Sequence, residues 1–193
     1  VRLWTDVQQG QPVAVTADVV LEAVDARLGK GLLPLGLRHV HGRLGAQWSD
    51  DEVEISSQDL VFDTQEGEHW PGGMLRLGWR GEAFESGTLS ADRLDLEALA
   101  QISQRLPLSD VSRALLARAQ PQGQINQLKA TWQKSEGKPL RYTARGQVRQ
   151  LSVQRDLQAD SVLAKLPGVQ AAQAEFDFNQ SSGKAHVSFH KGS

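Results

Sequence analysis

The chain has 193 residues, 39% of them hydrophobic and 6% aromatic, and its formal net charge is −2. Its 21 basic and 23 acidic residues are mixed along the sequence, which argues against a nucleic-acid-binding surface, because such a surface needs a clustered basic excess. The absence of cysteine excludes disulfides, zinc–thiolate sites and a cysteine nucleophile. The sequence contains neither a signal peptide nor an apolar run long enough to cross a bilayer.

Residues 1–92 alternate between apolar and polar side chains, which predicts antiparallel strands. Because this alternation is already present at Val1, we expect the chain to be one fragment, 1–193, of a longer protein. The clearest strand is 12–23, where the odd positions are apolar. At ~3.3 Å per residue this strand could run roughly 35 Å. Its apolar positions are Val13, Val15, Ala17, Val19 and Leu21.

Three further strands are expected over 36–48, 52–63 and 73–80. In the second of these, Val53 and Ile55 have one parity and Leu60 and Phe62 have the other. A change of parity within one strand predicts a bulge or a local twist.

Helical spacing replaces alternation over 93–120 and predicts a helical hairpin at about 95–119. The first helix is expected to begin after Asp95, whose carboxylate can cap the first turn, and to end at Pro107. Its apolar stripe is Leu96, Leu99, Ile102 and Leu106. The second helix, about 109–119, has Ser109 as its candidate cap, and its predicted apolar face is Val111, Leu115 and Ala119.

Alternation resumes over 121–193, where the strands are expected to continue the sheet. Two strands, within 123–132 and 140–148, are predicted to form a hairpin through a polar turn. A short excursion of about one helical turn is expected at 160–168, and a closing hairpin at 175–190. The fold class is therefore α+β and mainly β. Glycines inside several strand patterns favour a strongly curved antiparallel sheet, an open trough.

The residues that carry chemistry in enzymes form no recognisable site. His39 and His41 would point to one face of a strand, as some metal ligands do, but a third ligand is missing nearby. Neither a phosphate-binding loop nor a nucleophile elbow occurs. We therefore expect no catalytic residue, no metal and no cofactor. An enzyme, such as a β-rich hydrolase, would need a cleft that gathers His39 or His41 with a carboxylate.

The five tryptophans suit two interpretations. Three of them close an alternating run, which is typical of strand ends at a boundary between apolar and wet surroundings. Packing in the core is the alternative. The tryptophans are Trp4, Trp48, Trp70, Trp79 and Trp132.

Over residues 85–190 the sequence resembles the central segment of the YhdP branch of AsmA-like proteins. The resemblance lies in a strand-to-helix entry from Leu89 to Leu99, an exit from Pro121 to Trp132, and a "LPGV" element from Leu166 to Ala174. It implies a long envelope protein of Gram-negative bacteria, anchored in the inner membrane outside this fragment, with its bulk in the periplasm. It also implies an apolar β-groove that supports phospholipid transport between the membranes and outer-membrane integrity.

Two short helices can cover only part of a sheet with one apolar face. The remainder must be met by a second sheet, by the sheet curling on itself, or by something apolar from outside, such as a lipid chain or another protein. Together with the resemblance, this leads us to expect that the remaining apolar surface shelters phospholipid acyl chains without catalysis. The alternative is a structural or assembly module that binds another envelope protein, for example through a sheet edge. The candidate groove residues are Val13, Val15, Val19, Leu21, Val53, Ile55, Phe176, Phe178, Val187 and Phe189.

Overall fold

The structure, a computed structural model, describes residues 1–81, 85–135, 137–153 and 169–189. The predicted excursion at 160–168 lies outside the described residues. Within the described part the chain forms one antiparallel sheet and two short helices. The strands are β1 (Arg2–Gln8), β2 (Gln11–Ala26), β3 (Leu35–Trp48), β4 (Glu52–Thr64), β5 (His69–Pro71), β6 (Met74–Arg80), β7 (Ser86–Asp95), β8 (Gln122–Gln133), β9 (Arg141–Val153), β10 (Val169–Asn179) and β11 (Gly183–Phe189).

The sheet follows chain order, β1-β2-β3-β4-β6-β7-β8-β9-β10-β11, and β5 pairs only with β4. The strands at its two edges, β1 and β11, do not pair with each other, so the sheet stays open. The predicted α+β class is confirmed: the protein is a strongly curved, open antiparallel trough with a helical hairpin. The predicted closing hairpin is present as β10 and β11.

Several long strands contain a residue at which the backbone φ is positive and the parity of the apolar side chains changes. In β4 the inward series Val53, Ile55, Ser57 is followed by Leu60 and Phe62, and the residue between them, Asp59, has a φ of 48°. The predicted parity change in this strand is therefore confirmed. Such a bulge bends a strand while keeping its apolar residues on the same side. Equivalent positions are Ala23 in β2, Gln127 in β8 and Gln150 in β9.

Opposite the β4 bulge the neighbouring strand has a glycine. Gly42 of β3 has a φ of 145°, and a Cβ there would lie 2.6 Å from the carbonyl oxygen of Asp59. Because only glycine tolerates both this dihedral angle and this close approach, Gly42 allows β3 to follow the bend in β4.

Beyond the bend the sheet divides in two. There β4 pairs with β5, whereas the last residues of β7, Arg93–Asp95, pair only with β8. Helix α1 (Leu96–Ile102) lies in this gap and contacts β5, β7 and β8. The gap explains why a helix follows β7: its apolar side chains fill the space that a continuous sheet would otherwise occupy.

Both ends of α1 pack on the apolar face of the sheet. Ile102, 3% exposed, joins a cluster on β2, β3 and β4, and Leu96 joins a second cluster on β8, β9 and β10. The first cluster contains Val19, Leu35, Leu37, Val40 and Phe62, and the second contains Val148 and Ala174. Among the described residues, most buried apolar side chains therefore belong to the two clusters that α1 joins.

The caps of both helices agree with the sequence. The Asp95 carboxylate accepts a hydrogen bond from the Ala98 amide at 2.9 Å, and the Ser109 hydroxyl accepts one from the Ser112 amide at 3.1 Å. The first helix is shorter than predicted, because it tightens into a 3₁₀ turn, Ser103–Arg105, and Leu106 is extended. Steric conflict with the following proline pushes Leu106 out of the helical region.

The second helix, α2 (Asp110–Ala119), packs on α1 and the 3₁₀ turn. Its predicted apolar face is wrong at Leu115, which is 44% exposed. Arg113 and Leu116 are half-buried instead, and Arg113 donates to the carbonyl of Leu106 at 3.5 Å. The side chain of Val111 lies outside what the structure describes.

Candidate functional site

The half of the apolar face away from α1 is an open strip of inward side chains in three rows. The cross-strand register defines the rows, since directly paired residues in an antiparallel sheet point to the same side. The middle row crosses nine strands without a polar side chain. From β2 to β11 it contains Val15, Ala46, Ile55, Leu77, Leu89, Ala130, Ala144, Phe178 and Gly183.

The row nearer α1 is almost as apolar. Its hydroxyl-bearing member is Ser57, and its other residues from β2 to β8 are Ala17, Leu44, Leu75, Ala91 and Leu128. It continues on the last three strands as Gly146, Phe176 and Ala185. Adjacent rows are separated by two residues along each strand, which is about 6.6 Å, and neighbouring strands lie about 4.8 Å apart. The open strip is therefore about 13 Å wide along the strands and about 38 Å long across them.

The side chains of the strip are more exposed to solvent than those in the half of the apolar face that α1 covers. Ile55 is 42% exposed, Leu44 40% and Phe178 39%. Under α1, by contrast, Val40 and Phe62 are 7% and 8% exposed. Since no second layer from the described residues covers the strip, its larger apolar side chains remain partly open to solvent, whereas the small Ala91 is buried between its neighbours.

The outer row of the strip, at the strand ends farthest from α1, is aromatic. We call it the rim row. Direct pairing runs across six strands through Trp48, Val53, Trp79, Gly87, Trp132 and Tyr142. A Cβ on Gly87 would collide with the Trp132 ring, so this ring lies flat across the glycine. Phe178 lies over Gly183 and Phe176 over Gly146 in the same way. Rings laid over glycines make the surface of the strip continuous and shallow.

The structure places the sequence-predicted groove residues in different environments. Val13, Val15, Val53, Ile55 and Phe178 lie in or beside the open strip, partly exposed. Val19 is buried in the cluster under α1, and Leu21 packs against the same cluster. Phe176 stacks on Phe178 at 5.6 Å between ring centroids and also contacts the cluster around Leu96. Val187 is 42% exposed on β11, and the side chain of Phe189 lies outside the described part.

Sequence reasoning missed most of the middle row. Ala46, Leu89, Ala130 and Ala144 are small or isolated in their own strands, and they become a surface only through cross-strand pairing. The tryptophans at strand ends were the available signal for the rim row. Trp70 is different, because it stacks on Phe62 at 5.8 Å and packs against the core under α1.

The other face of the sheet is polar and carries short ion pairs. The Arg43 guanidinium donates to the Asp18 carboxylate at 2.6 Å, which holds the pKa of Asp18 below its usual value. Arg43 also lies over the Trp4 ring, 5.9 Å from its centroid. A hydrogen bond from His69 lowers the pKa of Asp63, with a 2.7 Å separation between Nδ1 and Oδ1. The two ion pairs join neighbouring strands, and the Arg43–Trp4 contact reaches from β3 across β2 to β1.

The two histidines considered as metal ligands lie exposed on β3. His39 Nδ1 is 4.0 Å from a Glu22 carboxylate oxygen, and both side chains are largely exposed. Across the residues that the structure describes, no group of three or more His, Asp or Glu side chains is arranged to hold a metal ion.

A half-buried arginine fastens the helical segment to the β4–β5 hairpin. The Arg105 side chain is 14% exposed and contacts Glu66 at 2.9 Å and Glu68 at 3.8 Å. The pKa of Glu66 is lowered by its own backbone amide and by Arg105. Nearby, Thr64 and Ser103 are fully buried, and their hydroxyls bond to Glu68 and to the Ala100 carbonyl. The helical segment is thus held by polar as well as apolar contacts.

An open antiparallel trough with one continuous apolar strip belongs to the β-groove class of proteins. The family model described as "YhdP protein" matches residues 1–193, and the chain therefore belongs to the YhdP family. The search of curated proteins and the search of solved structures each returned no match. In the described part of the chain, neither helix has the length and apolar character needed to span a bilayer.

Proposed function

We propose that this chain is a non-enzymatic segment of a periplasmic AsmA-like protein that supports phospholipid transport between the inner and outer membranes and outer-membrane integrity. The parent protein is anchored in the inner membrane outside this segment. The open strip would shelter the acyl chains of a phospholipid. The observation that carries the proposal is the middle row, which stays apolar across nine strands.

The mechanism is solvation rather than covalent chemistry. Each methylene group exposed to water costs ~0.8 kcal/mol, so a lipid crossing an aqueous compartment meets a large barrier unless its chains stay covered. A strip about 13 Å by 38 Å is wide enough for two chains side by side and longer than one extended chain. Because partly exposed residues such as Ile55 and Phe178 already contact solvent, covering them with acyl chains is favourable for both surfaces.

The test is to express the chain in a Gram-negative periplasm, purify it without detergent, and measure bound lipid by native mass spectrometry and lipid extraction. We expect stoichiometric phospholipid, and loss of that lipid in Ile55→Asp and Phe178→Asp. The matched control is Val20→Asp. Val20 lies on the polar face of β2 and is 74% exposed, so this variant should keep its lipid.

Two results would contradict the proposal. One is a folded, lipid-free wild-type chain. The other is lipid that remains bound after both strip substitutions while circular dichroism shows an unchanged fold, because such lipid would be adsorbed elsewhere.

A structural module that binds another envelope protein is the second candidate, and the edge strand β1 favours it. Leu3 is 64% exposed and Val7 59% exposed, and the outer edge of β1 has no partner among the described strands. Exposed edges of this kind accept an added strand. A lipid-free chain that associates through β1, with association abolished by charged substitutions at Leu3 and Val7, would support this candidate instead.

A further inference from the structure

We propose that the polar face of the sheet, over strands β6–β11, binds an acidic glycan, a linear polymer that carries carboxylate, hydroxyl and amide groups. This surface lies on the side of the sheet opposite the apolar strip, and its occupation does not require a lipid. It goes beyond the proposed function, because it assigns a second ligand to the other face of the same strands.

The first observation is the distribution of charge over the strands. β2 and β4 contain seven Asp and Glu residues and neither Lys nor Arg, and neighbouring strands supply the matching cations. Arg43 of β3 pairs with Asp18 at 2.6 Å, and Arg80 of β6 pairs with Glu52 at 2.8 Å. β8 and β9 depart from this arrangement, because they are adjacent and both basic. Their charged residues are Lys129, Arg141, Arg145 and Arg149.

The second observation is that two of these cations lie directly opposite each other. Lys129 pairs in register with Arg145, and both side chains are exposed without a hydrogen-bond or ion-pair partner in the described part of the chain. Directly opposed like charges destabilise an antiparallel pair. An anion bound from outside would relieve this repulsion.

The row that contains this pair crosses six strands of the polar face. It carries four cations and one carboxylate, and it consists of Arg76, Ser90, Lys129, Arg145, Asp177 and Lys184. These positions alternate with those of the strip, so they lie on the other side of the sheet. The fold thus gathers positive charges that are mixed with acidic residues along the sequence.

The third observation is a pair of hollows on this face. The larger, about 860 Å³, has Lys129, Arg145 and Lys184 in its wall. It reaches from β6 to β11, which is about 24 Å at about 4.8 Å between strands. The smaller, about 560 Å³, contains Arg141 with hydroxyl and amide side chains: Ser86, Thr88, Thr131, Gln133 and Thr143. A long, narrow hollow suits a linear polymer better than a flat bilayer.

The side chains of the larger hollow also favour a glycan over a surface of phosphates. Its wall includes Asp92, Glu175 and Asp177 as well as the cations, and these carboxylates would repel a purely anionic surface. Sugar hydroxyls, in contrast, can donate to carboxylates and to amide oxygens. The carboxylates of an acidic glycan pair with the guanidinium and ammonium groups. Both signs of charge in the hollow therefore have a partner on such a polymer.

The test is co-sedimentation of the purified chain with insoluble bacterial cell-wall sacculi at low ionic strength. Sacculi are chosen because their glycan strands carry carboxylates and amides; this choice of source, unlike the binding surface itself, rests on the proposed function. We expect the wild-type chain in the pellet, and its release at about 1 M salt, where charges are screened beyond ~3 Å.

The variant Lys129→Gln/Arg145→Gln should bind sacculi about tenfold more weakly, because each exposed ion pair contributes a few-fold to affinity. The matched control is Arg27→Gln/Lys30→Gln, which removes two exposed cations from the β2–β3 turn and should bind like the wild type. Equal weakening in both variants would overturn the proposal, because binding would then depend on net charge rather than on this face.

The same variant also tests the opposed charges. Since Lys129 and Arg145 repel each other, Lys129→Gln/Arg145→Gln should melt at or above the wild-type temperature in circular dichroism. A lower melting temperature would contradict the reasoning, because the two side chains would then be structural contacts.

Two further outcomes would overturn the proposal. One is a wild-type chain that stays in the supernatant with sacculi. The other is a chain that binds phosphatidylglycerol vesicles or polyglutamate as tightly as sacculi, since the face would then accept any anion. Neither outcome bears on phospholipid in the native mass spectrum, which reports on the apolar strip, so failure of this inference and failure of the proposed function are distinguishable.

Discussion

The packing of α1 on the trough predicts a large loss of stability when Ile102 is replaced by alanine. Ile102 is 3% exposed, and the substitution removes three carbons. At ~0.8 kcal/mol per buried carbon, transfer alone accounts for about 2.4 kcal/mol, and the cavity left behind raises the total to about 3–4 kcal/mol. For a chain of this size, the melting temperature should fall by about 6–16 °C.

Leu115→Ala is the matched control, because it also removes three carbons from a helix but at a site that is 44% exposed. Its expected cost is about 1 kcal/mol or less, with a melting shift below about 4 °C. Thermal unfolding followed by circular dichroism measures both. If the two variants melt at the same temperature, α1 is not packed on the sheet in solution, and the division into a covered half and an open strip is wrong.

Three further predictions test separate features. Gly87→Ala should destabilise the sheet by about 1–3 kcal/mol, because its Cβ collides with the Trp132 ring; denaturant unfolding with a wild-type midpoint would contradict this. Asp95→Ala should lower the free energy of unfolding by about 1 kcal/mol, because the cap of α1 is lost. Asp95→Asn should retain most of that stability, because its amide oxygen can still accept the hydrogen bond from Ala98. The pKa of Asp63 is lowered by His69 in the folded state, so its contribution to stability is present above pH ~4 and is lost as the pH falls through the folded pKa. Thermal melts from pH 7 to pH 3 should therefore show a shallower acid loss in Asp63→Asn, and an identical pH profile would count against this pair.

The sequence predicted much of the fold because its patterns are local. Alternation identified the long strands, and the parity change between Ile55 and Leu60 located a bulge that the structure confirms. The caps at Asp95 and Ser109 are confirmed for the same reason, since a cap depends on only four neighbouring residues.

What the sequence left open depends on contacts between distant strands. Whether Val19 faces solvent or the core cannot be read from β2, because the cluster that buries it includes Ile102, 83 positions further along the chain. The rim row likewise arises from the register of six strands. The exposed Leu115 was misjudged because helical spacing identifies an apolar stripe without identifying what it packs against.

The bulges within the strands also constrain how this sequence can change. Side chains in a strand alternate with a period of two, so the insertion or deletion of one residue exchanges the inner and outer faces of everything beyond it. In this trough the positive-φ residues Ala23, Asp59, Gln127 and Gln150 already mark that exchange once in each of four strands. A second single-residue change would turn charged side chains onto the apolar strip. Differences in length between related chains should therefore fall in the turns, or occur in pairs within one strand, so the pattern of gaps in a family alignment would record the face of each strand.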